Sequence, residues 1–110
     1  MDTELKAKWA TALRSDKYQQ CTGVLRAEGK NGAASYCCLG VLCDVFGVRW
    51  QDNLPYLKDG RRLDDEDGAL LGSYMLRVAG FNNDVQSDLA EMNDNGSRFP
   101  EIADYIEKNL

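Results

Sequence analysis

Residues 35–47, SYCCLGVLCDVFG, place Cys37, Cys38 and Cys43 in one apolar run. The run is too uniformly apolar for periodicity to choose between strand and helix. Its leucines, and the Gly47 that closes it, favour a buried helix over Cys38–Phe46 with a glycine stop. Ser35–Cys37 reads as a short strand, so strand passes into helix at Cys37–Cys38. Gly23–Leu25 supplies a second short strand, with Gly29, Asn31 and Gly32 at the turn between the two.

Outward from this centre the periods are clearer. Leu5, Trp9, Ala12 and Leu13 form a stripe at helical spacing, which predicts a helix over Thr3–Arg14 with Thr3 as its cap. In "PYLKDGRRL", Asp59-Gly60 suits a two-residue hairpin turn, because glycine accepts positive φ. The acidic run Asp64–Asp67 precedes an expected helix from about Gly68 to Ala79, where negative charge complements the helix dipole. Leu71, Met75 and Val78 give that helix its apolar side, and Gly80 ends it. Val85, Leu89 and Met92 mark the next helix, broken by "NDNG". Phe99, Ile102, Ala103, Ile106 and Leu110 mark the last, which starts near Ser97–Phe99 because Pro100 is tolerated only in a first turn. The expected fold is α+β and mainly helical: about five helices with one or two short β-hairpins around a single core, in one domain over residues 1–110.

Composition narrows the chemistry. The chain of 110 residues carries a formal net charge of −5 and no histidine, with a pI of about 4.6. Without histidine, Ser-His-Asp and Cys-His mechanisms are unavailable within the chain. The acidic balance argues against direct nucleic-acid binding, which needs basic patches. It suits docking on a basic surface instead. No apolar run approaches the roughly 20 residues of a membrane span, and "MDTELKAKWA" lacks an apolar signal core. A cytoplasmic protein is expected, with no membrane partner.

The four cysteines read best as buried, weakly polar core residues. A cytosolic setting disfavours disulfides. The spacing Cys21, Cys37-Cys38, Cys43 lacks the paired knuckles of a zinc site, and no metal or cofactor is assigned. "EMNDNGS" places Glu91, Asn93 and Asn95 at the first, third and fifth positions of a calcium loop with Gly96 at the sixth, but the twelfth is Ile102 rather than an acid. Cys38-Leu39-Gly40 resembles the cysteine helix of papain-like cell-wall peptidases over about ten residues, although that family's histidine base has no counterpart here. "NGSRFPEIADYIEKNL" resembles the first half of a helix-turn-helix, with no recognition helix after it in the chain.

Three pieces, "ALRSDKYQQCTGVL" (Ala12–Leu25), "YCCLGVLCDVFG" (Tyr36–Gly47) and "LAEMNDNGSRFPEIADYIE" (Leu89–Glu107), resemble small uncharacterised proteins common in phages and prophages. The resemblance implies a bacterial cytosolic setting and brings no activity with it. The leading expectation is a non-enzymatic protein that occupies or inhibits a host protein with a basic surface, including an anti-defence role. Asp64–Asp67 and Asp84–Asp94 would be its charged elements, and Trp50 or Tyr56 its aromatic anchors. The alternative is a protein that binds or sequesters a small nucleotide signal. Tyr18, Gln19, Gln20, Tyr36, Asn93 and Asp94 would then line a pocket, with Arg14 and Arg26 meeting phosphates. "GKNG" at Gly29–Gly32 is too short for a phosphate-binding loop. An enzyme working through carboxylates, lysine or tyrosine is the weakest reading, since no spacing singles out an acid–base pair.

Overall fold

The computed structural model describes residues 1–110. Its elements, in chain order, are α1 (Thr3–Arg14), β1 (Gln19–Gln20), β2 (Arg26–Glu28), β3 (Ala34–Tyr36), α2 (Cys38–Phe46), β4 (Arg49–Gln51), β5 (Leu54–Tyr56), α3 (Ser73–Ala79), α4 (Asn83–Asp94) and α5 (Phe99–Asn109). This is a mainly helical α+β fold with two small sheets. Helix α2 lies at its centre: Cys38 to Cys43 are all buried. A helical stretch that is apolar on every side, as Cys38–Cys43 is, must be enclosed. Helices α1 and α4 and strand β3 pack on it, and α5 closes over α1 and α4. Gly47 stops α2 in the left-handed region, at φ 102°.

Helix α1 buries Leu5, Trp9, Ala10 and Leu13. The Trp9 indole N–H donates to the Cys38 carbonyl at 2.9 Å, and its ring stacks on Phe81. The cap is Asp2 rather than Thr3. The Asp2 carboxylate accepts from the Leu5 N–H at 2.8 Å, a stronger, charge-assisted bond at the positive end of the helix.

The first sheet has the order β1-β3-β2, with β1 parallel and β2 antiparallel to β3. The strand expected at Gly23–Leu25 lies instead at Arg26–Glu28. Leu25 is withdrawn into the core: its N–H donates to the Gly68 carbonyl at 2.8 Å, and its carbonyl accepts from the Cys37 N–H at 3.3 Å. Helix α2 meets that carbonyl through Gly40. A Cβ on Gly40 would sit 1.8 Å from the Leu25 oxygen, so only glycine permits this approach.

The second sheet is the β4–β5 hairpin. Its turn residues Asp52 and Asn53 take φ values of 54° and 64°, the left-handed pair that matches the twist of a tight hairpin. The turn at Asp59-Gly60 forms, but with three loop residues rather than two. Leu57 and Arg61 close it, and Gly60 at φ 91° is the third.

The helix expected from Gly68 begins only at Ser73. Residues 63–72 form an extended loop in which Asp64 bridges to Leu71 and Leu63 and Leu71 are buried. Glu66 and Gly68 have φ of 100° and 73°, which a helical start does not allow. The acidic run therefore does not cap α3. Asp64 turns inward, where its carboxylate takes both Nε and Nη2 of Arg62, at 2.8 and 2.7 Å, and the Gly68 N–H at 2.8 Å. Burial raises the Asp64 pKa, but the Arg62 fork and the Gly68 amide outweigh it and hold the carboxyl below its ordinary value.

Candidate functional site

The polar residues singled out by the sequence fall into three places. Gln20 and Asn93 meet in the first. Asn93, on α4, is 1% exposed. Its Oδ1 accepts from the Cys38 N–H at 3.1 Å and from Gln20 Nε2 at 2.9 Å, and its Nδ2 donates to the Cys21 carbonyl at 2.8 Å. Gln20 Nε2 also donates to the Ser97 carbonyl at 2.7 Å, while its Oε1 accepts from the Phe99 N–H at 3.2 Å. The pair thus caps two helices at once, satisfying an orphan N–H at the start of α2 and one at the start of α5. Glu101 adds a third bond at the α5 terminus by accepting from the Arg98 N–H at 2.9 Å. This is half of a capping box. Arg98 has no acceptor for the other half, and Gln20 on β1 takes the Phe99 N–H instead. Buried Asn93 and half-buried Gln20 thus have their hydrogen-bonding groups engaged in holding the fold together.

Tyr18, Tyr36 and Trp50 meet in the second place. Tyr18 and Tyr36 pack edge to face with centroids 5.1 Å apart, and Tyr36 and Trp50 with centroids 5.8 Å apart. Asp44 on α2 joins the ends: it accepts from the Tyr18 hydroxyl at 2.5 Å and from the Trp50 indole N–H at 2.9 Å. Burial, with the Asp44 carboxylate beside it, pushes the Tyr18 hydroxyl pKa up. Arg26 lies against the Tyr36 and Trp50 rings and bonds Glu28 at 3.0 Å and Asn53 at 2.7 Å. The cluster is half-buried and ties the two sheets to α2. Tyr56 stands apart from it under Arg49, and Gln19 is exposed on β1. Arg14 is also engaged, pairing with Asp104 and Glu107 of α5. The residues assigned to a nucleotide pocket therefore do not line one cavity, and both arginines already face carboxylates.

The cysteines of residues 35–47 lie in the core. Cys37, Cys38 and Cys43 are buried and Cys21 is half-buried. Burial pushes Cys37 up to about 11 and raises Cys38 and Cys43 as well. At Cys38 burial dominates any gain from the helix terminus. The Cys38 thiol packs against the Leu89 carbonyl. The calcium-loop spacing dissolves too, since Glu91 and Asn93 belong to α4 and Asn93 points inward.

The third place is the outer side of α4. Helix α4 carries Asp84, Asp88, Glu91 and Asp94 and no lysine or arginine. All four are exposed, and none forms an ion pair. Asp88 and Glu91, with Met92, Asn95, Ser97 and Tyr105, line a groove of about 400 Å³ between α4 and α5. A second cleft, of about 330 Å³, lies on the neighbouring flank of α4, where Ser87, Ala90 and Asp94 face Val24, Leu39 and Leu70. Sequence reasoning found the charges of α4 but missed Val24, Leu70 and Ala90. These sit on three separate segments, and no local pattern links them.

No helix is long and apolar enough to cross a membrane. The model of a family described as a domain of unknown function, DUF8296, matches residues 1–110, and the chain belongs to that family. No curated protein and no solved structure matches it.

Proposed function

We propose that this DUF8296 chain is a phage- or prophage-type cytosolic protein that acts without catalysis, by docking its α4 face on the basic surface of a host protein. The observation that carries this reading is the unpaired acidity of α4: Asp84, Asp88, Glu91 and Asp94 are exposed on one helix with no cation of the chain beside them. Asp104 and Glu107 of α5 are paired with Arg14, and other exposed acids such as Asp65 and Asp67 also lack a cation, but on α4 four of them share one helix with no base. Like charges repeated along a helix repel one another and cost stability, so a helix that keeps them unrelieved is suited to meeting positive charge from outside. Met92 and Tyr105 in the adjoining groove supply apolar contact within the charged rim. The anchors expected at Trp50 and Tyr56 lie outside this groove. Of the acidic run at 64–67, Asp64 is already paired inside the molecule.

The test is retention of host-lysate proteins on immobilised chain at about 50 mM and about 500 mM salt, with the D84N/D88N/E91Q variant in parallel. One protein retained by the wild type at low salt, released at high salt and absent from the variant is the expected result. Equal retention by both chains, or none by the wild type, would overturn the reading. Near-identical melting temperatures for the two chains would show that the variant still folds.

A further inference from the structure

The cleft beside α4 has walls of one kind and a rim of another. Val24, Leu39, Leu70 and Ala90 form the walls, and Asp94 stands at the rim. Its volume of about 330 Å³ lies at the bottom of the range for small-molecule sites and suits one long side chain. Val24 is 37% exposed, one of only two large apolar residues so exposed. Its position is imposed by the backbone. Gly23 turns at φ 81° and donates its N–H to Asp94 Oδ1 at 3.2 Å, while the Leu25 N–H is pinned to Gly68. The wall is therefore preorganised, which lowers the ordering cost of binding.

We infer that this cleft receives an arginine side chain of the basic partner, its alkyl stem against Val24, Leu70 and Ala90 and its guanidinium on Asp94. This rests on the docking reading above. Asp94 accepts a single bond from a neutral N–H and has no cation of its own chain. Arginine fits both halves of the cleft: its stem is apolar, and its planar fork can take both carboxylate oxygens while being only weakly hydrated. The other α4 carboxylates disfavour an anion here. A protein partner fits better than a free small cation, because Asp84 to Asp94 span about 15 Å of helix, more than one small cation can neutralise.

The test is a methyl NMR titration of the whole chain with n-butylguanidinium, against its neutral isostere n-butylurea. Saturable shifts are expected at the Val24, Leu70 and Ala90 methyls and the Asp94 amide, with the urea weaker by about tenfold. D94N, which keeps an oxygen for Gly23, should bring the guanidinium down to the level of the urea. V24S, at an exposed position, should weaken both probes and serves if D94N fails to fold. Equal binding of the two probes, or guanidinium shifts confined to the α4–α5 groove, would overturn the proposal. The D84N/D88N/E91Q variant leaves the cleft intact, so the two readings separate. A partner retained through α4 without cleft shifts removes the arginine anchor alone. Cleft shifts without any retained partner remove the docking reading, and with it the assignment to a partner's arginine.

Discussion

Replacing Gly40 by alanine tests the central packing of the fold. A Cβ there would lie 1.8 Å from the Leu25 oxygen and 2.8 Å from its carbonyl carbon, where ordinary contact starts near 3.4 Å. Backbone cannot rotate away as a side chain can, so α2 must move off the 22–25 loop. Leu25 is fully buried, and its carbonyl also holds the Cys37 N–H. Overpacking of this kind costs about 1–3 kcal/mol, and the strained or lost hydrogen bond adds about 1 kcal/mol. Helix propensity works the other way, favouring alanine by about 1 kcal/mol. The steric term wins, for a net loss of about 1–3 kcal/mol. For a domain of this size that lowers the melting temperature by roughly 5–20 °C. Thermal and urea unfolding followed by circular dichroism would measure it. Gly47→Ala is the control: nothing lies within 4 Å of its Cβ, so only the left-handed backbone is penalised, at about 1–2 kcal/mol. A Gly40→Ala protein as stable as wild type, or more so, would refute the close approach and leave helix propensity in command.

Asn93→Ala should cost about 2–4 kcal/mol in urea unfolding, because it strands the buried Cys38 N–H and breaks the tie to Gln20. A variant with unchanged stability would return Asn93 to the ligand candidates. Asp64→Asn should lose about 1–3 kcal/mol at neutral pH, discounted because Arg62 is partly exposed. The folded Asp64 pKa is depressed, so its contribution is complete above the unfolded carboxylate pKa of about 4 and disappears as pH falls through the folded value. Stability of D64N should accordingly fall less steeply with acid than that of the wild type, and parallel acid-unfolding curves would contradict the ion pair. In native alkylation followed by mass spectrometry, Cys21 should label first and Cys37, Cys38 and Cys43 only on unfolding. Rapid native labelling of Cys38 would overturn the core assignment.

Helices α1, α2 and α5 and the glycine stop at Gly47 were legible in the sequence because their causes are local: an apolar period, a run too apolar to face water, a residue that accepts positive φ. The five-residue error at the start of α3 and the displaced strand β2 have the opposite origin. Leu25 leaves the ladder because Gly68 and Cys37 claim its backbone, and Asp64 turns inward because Arg62 and Gly68 lie across the loop. The same division governs the candidate site. Acidic charge on α4 could be read directly, since a helix with four acids and no base must present charge somewhere. Whether a given polar side chain is free depends on partners far along the chain, as Gln20 and Asn93 show by satisfying each other across 73 positions. Composition and local periodicity were enough for the helical class, the buried cysteine helix, the lack of a histidine base and the acidic balance of the chain. Which polar groups are consumed as caps and which remain open is settled in three dimensions, because hydrogen-bond satisfaction and clefts belong to segments brought together in space.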